Sequence, residues 1–77
     1  MLHEHDTVAL TRDLSEHGLV GGDVGAVVFC YSGGQAYEVE FVAANGETLA
    51  VLTLTPADVR PLAGREILHV RGLAAIR

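Results

Sequence analysis

One stretch of alternating side chains constrains the fold more than any other part of this sequence. Over residues 36–42, three large apolar residues alternate with two glutamates, as expected for a strand with one buried face. Asn45-Gly46 follows, and this pair is favoured in a two-residue type I′ hairpin turn, which would pair Ala44 with Glu47. A slip of one residue would mix the two faces, so the pattern also predicts the register. The predicted pairs are Phe41 with Ala50, Val39 with Leu52 and Tyr37 with Leu54 on one face, and Val42 with Leu49, Glu40 with Val51 and Glu38 with Thr53 on the other.

The segment before this hairpin predicts a tight turn that enters a second strand. Gly22 and Gly25 are expected to supply backbone angles that residues with a Cβ avoid, and Asp23 can hydrogen-bond the backbone nearby. Val24, Val27 and Val28 then favour an extended strand, which we expect to run to about Tyr31. A phosphate-binding loop is not expected here, because no helix follows and the chain has no lysine.

The remaining segments complete a small all-β plan. The polar stretch at residues 12–20 predicts a connecting loop held by Leu14 and Leu19. Thr55-Pro56-Ala57-Asp58 is typical of a helix start, but Pro61 follows so closely that we expect one short 3₁₀-like turn. We therefore predict a small SH3-like five-stranded barrel. Its strands would lie at residues 5–11, 24–31, 36–42 and 59–62, and the fourth would be the segment up to Leu54 that pairs with residues 36–42.

The end of the chain fits two structures. Ile67, Val70, Leu73 and Ala74 recur at helical spacing, although Gly72 interrupts them, and the same segment fits an extra strand less well. It is too apolar for a loose terminus. We expect a barrel over residues 1–62 and a C-terminal extension over residues 63–77 that packs on the barrel or on a partner chain.

Composition narrows the range of functions. The chain has 77 residues, five arginines, ten acidic residues and a formal net charge of −5, so specific binding to nucleic acid is not expected. Cys30 is the only cysteine, which excludes an internal disulfide and a Cys-based zinc site. No signal-peptide pattern and no membrane-length apolar run is present, so we expect a cytoplasmic protein.

Individual residues give little sign of chemistry. His3 and His5 have a spacing that can bind a divalent metal, but a solvated chain end accounts for them. Cys30 lies in an apolar strand, where a buried, inert thiol is expected. Glu38 and Glu40 project to one face, but any half-buried strand shows this alternation. We predict no catalytic residues, metal, cofactor or small-molecule substrate.

The strongest functional signal is an excess of apolar surface. The second strand is apolar on both faces, and the hairpin adds apolar residues on its polar side. One small barrel cannot cover all of these side chains, so either the tail, a second copy or a protein partner must do so. The predicted partner-binding residues are Phe29, Tyr31, Val42, Leu49, Val51, Ile67 and Val70.

Several of these segments together resemble one family, the bacterial domain of unknown function 4926. The resemblance covers residues from about Asp6 to Leu62, and departs from the family pattern at Ser15, where proline is usual. The tail from Ala63 onward lies outside the pattern. The segments that carry the resemblance are Asp13-Leu14-Ser15-Glu16, Gly18-Leu19, Gly22-Asp23-Val24-Gly25-Ala26-Val27-Val28, Tyr37-Glu38-Val39-Glu40-Phe41 and Asn45-Gly46-Glu47-Thr48.

The resemblance implies an SH3-like barrel and no assigned catalytic residues. Such short proteins are similar in setting to components of toxin–antitoxin-like gene pairs, which implies a non-enzymatic, antitoxin-like protein–protein interaction module. The turn and strand at Gly22 also resemble the KOW element of transcription and ribosomal proteins. The alternative is therefore a KOW-like nucleic-acid-binding or ribonucleoprotein accessory protein, which would use Arg60, Arg65, Arg71 and Arg77.

Overall fold

Within residues 2–73, which a computed structural model describes, five antiparallel strands form one sheet. Their order across the sheet is β4-β3-β2-β1-β5, so β4 and β5 are its edges and the described sheet is open. The all-β prediction is confirmed, with each strand close to its predicted position. The strands are β1 (Thr7–Leu10), β2 (Val24–Cys30), β3 (Tyr37–Val42), β4 (Thr48–Leu54) and β5 (Val59–Pro61).

The hairpin of β3 and β4 has the predicted core register but a different turn. Phe41 lies opposite Ala50, and the pairing continues without a slip to Tyr37 and Leu54. At the turn, however, the Ala43 N–H donates to the Glu47 carbonyl at 2.8 Å, which leaves a three-residue loop. Only Gly46 in this loop has a positive φ, of 91°. The type I′ prediction is wrong, because that turn needs a positive φ at both central residues.

The core register is as predicted despite the different turn, because a β-bulge offsets the extra residue in the loop. Val42 pairs with Thr48 and not with Leu49, while Phe41 pairs with Ala50 as predicted. Leu49 is therefore an extra residue in β4, and it compensates for the extra residue in the loop. A second bulge lies in β2, where Val27 pairs with Val39 but Phe29 pairs with Glu38, which leaves Val28 as the extra residue.

The core lies on one side of the hairpin and under β1. A Cβ at Gly25 would lie 2.8 Å from the Glu40 carbonyl oxygen and 2.8 Å from Cγ1 of Val39. Gly25 therefore permits close approach of β2 to β3, whereas Gly22, with a φ of 92°, supplies the left-handed turn angle that was expected of both glycines. The buried apolar residues are Val8, Ala9, Leu10, Leu14, Leu19, Val27, Tyr37, Val39, Phe41, Leu54 and Val59.

The two predicted connections also form. Leu14 and Leu19 are buried and pair with each other across a short 3₁₀ turn at Ser15–His17, which confirms the loop prediction. Before β5, the Asp58 N–H donates to the Thr55 carbonyl at 2.9 Å, and the Thr55 N–H donates to the Asp58 carboxylate at 3.0 Å. This reciprocal turn brings β5 against β1.

The tail forms neither a helix nor a strand over residues 63–73, in contrast to the prediction of one or the other. Glu66 accepts two hydrogen bonds from the guanidinium of Arg60, at 2.9 and 2.6 Å, and these hold the start of the tail near β5. Residues 74–77, including Ala74 and Arg77 of the predictions above, lie outside the described residues. No helix in the described part of the chain has the length and apolar character needed to span a membrane.

Candidate functional site

Two surfaces carry most of the exposed apolar side chains, and the first is the solvent-facing side of β2, β3 and β4. We call it the outer face. Phe29 is 47% exposed and Val51 is 50% exposed, while Val28 and Tyr31 are exposed to a similar degree. Val28 and Phe29 are both exposed because the bulge in β2 breaks the alternation that would have turned one of them inward. The outer face consists of Val28, Phe29, Tyr31, Glu38, Glu40, Thr48, Val51 and Thr53.

The aromatic residues of the outer face are held by contacts with each other and with Glu38. The rings of Phe29 and Tyr31 pack edge to face, with their centroids 5.0 Å apart. The Tyr31 hydroxyl donates to Oε2 of Glu38 at 2.6 Å, and the Thr53 hydroxyl donates to the same oxygen at 2.6 Å. These bonds fix the phenol against the sheet, so the aromatic pair is ordered before any partner binds.

The same hydrogen bonds shift the pKa values of Glu38 and Tyr31. Hydrogen bonds from Thr53 and Tyr31 lower the pKa of the Glu38 carboxyl, and the bond to Glu38 raises the pKa of the Tyr31 phenol. A carboxylic acid that donates a proton near neutral pH needs the opposite shift. Glu40 accepts a hydrogen bond from the Thr48 hydroxyl at 2.7 Å. The outer face therefore presents apolar side chains around hydrogen-bonded carboxylates.

The second surface is a cleft between the turn end of the hairpin, the Gly22 turn and the tail, which we call the tail cleft. Its apolar walls come from the loop before β2, from β2 itself and from the hairpin, and the tail lies across it. A neighbouring depression beside Arg71 shares the side chains of Leu19, Leu49 and Leu73. The apolar side chains that line the tail cleft include Leu19, Val24, Val42, Leu49, Val70 and Leu73.

Arg71 is the polar centre of the tail cleft. Its Nε donates to Oδ1 of Asp23 at 2.8 Å, and its Nη2 donates to Oδ2 of Asp23 at 2.5 Å and to the Gly18 carbonyl at 3.0 Å. Asp23 also accepts the Val20 N–H at 2.9 Å. The hydrogen bond from Arg71 is the main cause of a lowered pKa for Asp23. A bidentate pair of this kind is specific for a planar guanidinium.

All seven predicted partner-binding residues are exposed in the structure, but they do not form one surface. Three of them, Phe29, Tyr31 and Val51, lie on the outer face. Three others, Val42, Leu49 and Val70, line the tail cleft. Ile67 belongs to neither group, and it is 90% exposed.

Several members of both surfaces were not predicted from the sequence. Val28 was expected on the opposite side of its strand from Phe29, and only the bulge brings the two together. The pairing of Arg71 with Asp23 spans 48 positions and leaves no local signal in the sequence. Leu73 is 49% exposed and lines the tail cleft; it was noted only as part of a helical pattern.

Two of the four arginines that the nucleic-acid alternative would use are engaged by carboxylates. Arg60 binds Glu66 and Arg71 binds Asp23, in both cases with two hydrogen bonds. Arg65 forms no ion pair with another described residue, and Arg77 lies outside the described residues.

The other candidate residues do not converge on a site. His3 lies at the chain end, where its backbone N–H donates to the Asp6 carboxylate at 2.8 Å, and His5 adopts a turn conformation with a φ of 76°. Among residues 2–73, no three side chains of His, Cys, Asp or Glu are grouped so that they could hold a metal ion. Cys30 is half-buried against the core, less buried than expected.

Comparison with known proteins identifies one family. Residues 4–61 match the model of the family described as Domain of unknown function (DUF4926). The match includes all five described strands and the outer face, and it ends before the tail. No curated protein and no solved structure matches the chain.

Proposed function

The chain belongs to this family of unknown function, and from that premise we propose that it is a non-enzymatic protein–protein interaction module with an SH3-like barrel. The proposal rests on the outer face, where ordered aromatic and aliphatic side chains surround carboxylates on one side of the sheet. The barrel assignment is supported by the strand order, in which β1 pairs with both β2 and β5, and by the tight turn just before β5.

The aromatic pair is the proposed anchor of the interface. Aromatic residues are enriched where binding energy concentrates, because they bury a large area and have few rotamers to fix. Phe29 and Tyr31 already hold one geometry through their ring contact and the bond from Tyr31 to Glu38. Little side-chain entropy is then lost when a partner covers them.

Charge indicates which partner the outer face prefers. Two copies placed face to face would bring the Glu38 and Glu40 carboxylates of each copy together, which is unfavourable. A different protein that carries arginine or lysine among apolar residues would complement both features, and the net charge of −5 also favours a basic partner. An antitoxin-like role is one form of this proposal, in which binding blocks the partner's activity, and we place this interaction in the cytoplasm.

The test compares substitutions on and off the outer face. The wild-type chain and the variants Phe29→Ser, Val51→Glu and Ile67→Ser are each used to capture a cytoplasmic partner, which is identified by mass spectrometry and then titrated in pure form. We expect the first two variants to bind at least about tenfold more weakly. Ile67→Ser, which removes an exposed apolar residue away from the outer face, should bind like the wild type. Equal binding by all four proteins would overturn the proposal, as would a chain that remains monomeric in light scattering and captures nothing.

The nucleic-acid alternative is less well supported. Two of its four proposed arginines bind carboxylates of this chain, and each would have to exchange that partner for a phosphate. If the alternative held, RNA or DNA would bind at low salt with an affinity that falls steeply as salt rises.

A further inference from the structure

The tail is bound to the rest of the molecule in the manner of a peptide ligand. It has no regular secondary structure, yet Arg71 makes three hydrogen bonds to the turn before β2, and Val70 and Leu73 lie along the apolar walls. The Arg71 guanidinium and the half-exposed Leu73 side chain therefore occupy an acidic, apolar cleft. This arrangement defines the chemistry that the cleft accepts.

The residues that accept the hydrogen bonds of Arg71 are held in place by contacts that do not involve the tail. Asp23 is held in its turn because its carboxylate accepts the Val20 N–H at 2.9 Å and its own N–H donates to the Val20 carbonyl at 3.0 Å. Gly18 has a left-handed backbone conformation, with a φ of 70°, and presents its carbonyl to the same point. The acceptors for a guanidinium are thus positioned by residues 18–23 alone.

The tail is held weakly enough for another segment to replace it. Ile67 and Val70 are each 90% exposed, so they bury almost no apolar surface. Residues 67–70 form no hydrogen bond with any other described residue. The Arg71 and Asp23 side chains themselves remain 34% and 17% exposed, and solvent weakens such a pair.

We propose that the tail cleft is a binding site for an arginine-bearing segment of a partner protein, and that Val70-Arg71-Gly72-Leu73 occupies it in its absence. The partner segment carries an aliphatic residue two positions after the arginine, in the place of Leu73. Its guanidinium takes the place of Arg71 on the Asp23 carboxylate and the Gly18 carbonyl. The net charge of −5 favours the approach of such a basic segment. Because this surface is distinct from the outer face, the present proposal and the proposed function can fail independently.

The test removes the Arg71 side chain, which holds the tail in the cleft, from the 77-residue chain. The probe is a fluorescein-labelled peptide with the sequence of residues 67–73, Ile-Leu-His-Val-Arg-Gly-Leu, and binding is measured by fluorescence polarisation. We expect the Arg71→Ala chain to bind it at least about tenfold more tightly than the wild type, because the competing tail no longer fills the cleft. Arg65→Ala is the matched control, since it removes a tail arginine that has no ion pair with the described residues.

Two further variants test the chemistry of recognition. A peptide with glutamine in place of its arginine should lose binding to the Arg71→Ala chain. The double variant Asp23→Asn, Arg71→Ala should also lose binding of the original peptide. The turn should persist in this variant, because the amide oxygen introduced by Asp23→Asn can still accept the Val20 N–H. Equal peptide binding by the wild type and Arg71→Ala would overturn the proposal. So would binding to the Arg71→Ala chain that is unchanged by the glutamine in the peptide or by Asp23→Asn in the chain.

A second measurement covers the case in which Arg71→Ala fails to fold. The unlabelled peptide is titrated into the wild type, and the NMR signal of the Arg71 Nε–H is followed. Displacement of the tail should move this signal to the position of a free arginine, and an unmoved signal at saturating peptide would overturn the proposal. Exchange of tails between two copies, seen as a dimer that the peptide does not dissociate, would overturn it as well.

Discussion

The backbone of Gly25 lies directly against the ring of Phe41: a Cβ at Gly25 would be 2.9 Å from Cε1 of that ring. Phe41 is buried in the core, so it has little room to move aside. The glycine is required by the distance between two strands and not by its own backbone angles.

Gly25→Ala should therefore destabilise the fold. We expect a loss of about 1–3 kcal/mol in the free energy of unfolding, because the added methyl group overpacks the core. Chemical denaturation followed by circular dichroism measures this loss. Gly64→Ala is the control, since a Cβ there meets no atom within 4 Å and its stability should be almost unchanged. Equal stability of the two variants would show that β2 can move away from β3.

Acid should release the start of the tail. Hydrogen bonds from Arg60 and from the Ala63 N–H lower the pKa of Glu66 from 4.5 to about 2. A lowered folded-state pKa means that the contact contributes fully above pH 4.5 and is lost as the pH falls towards about 2. Carbon NMR of the Glu66 carboxyl should show this low midpoint, and Arg60→Ala should return it towards 4.5. An ordinary midpoint in the wild type would contradict the ion pair.

The bond between Tyr31 and Glu38 should be visible in the titration of the phenol. Because Glu38 raises the pKa of Tyr31 above 10.0, Glu38→Gln should lower it, since an uncharged amide no longer opposes ionisation of the phenol. Ultraviolet absorption of tyrosinate follows the change, with Tyr31→Phe used to identify the contribution of Tyr37. A midpoint that does not move in Glu38→Gln would show that the two side chains are apart in solution.

Asp58 should stabilise the turn that leads to β5. Its carboxylate accepts hydrogen bonds from the Thr55 N–H at 3.0 Å and from Nε of Arg12 at 2.8 Å, and both bonds contribute to its lowered pKa. Asp58→Ala should cost about 1 kcal/mol in the free energy of unfolding. Glu4→Ala, which removes a carboxylate from the exposed chain end, should cost much less. If the two variants were equally stable, the turn would form without its side-chain acceptor.

The strands were predictable from local patterns, whereas the surfaces required long-range geometry. Alternation of Tyr37, Val39 and Phe41 with glutamates was sufficient to place β3, because burial of one face imposes that period. The two bulges could not be predicted, since an extra apolar residue fits either face of an apolar strand equally well. The turn type was wrong for a related reason: Asn-Gly is compatible with both two-residue and three-residue loops.

The tail could not be placed from its own sequence. Its apolar spacing fits a helix, but Arg71 gains three hydrogen bonds to the turn before β2, and these direct the backbone along an irregular path. Helical propensity is a weak preference that such tertiary contacts override. The contact joins residues 48 positions apart, with β2, β3, β4 and β5 between them in the chain, which no local pattern encodes.

Each of the two bulges adds one apolar residue to a proposed binding surface: Val28 to the outer face and Leu49 to the tail cleft. Neither residue has a partner in the pairing register that aligns the core. The side chains proposed to recognise partners are therefore partly insertions into an otherwise regular sheet. Such positions can be exchanged for other residues without changing which core residues face each other, so partner specificity in this fold can diverge while the core stays the same.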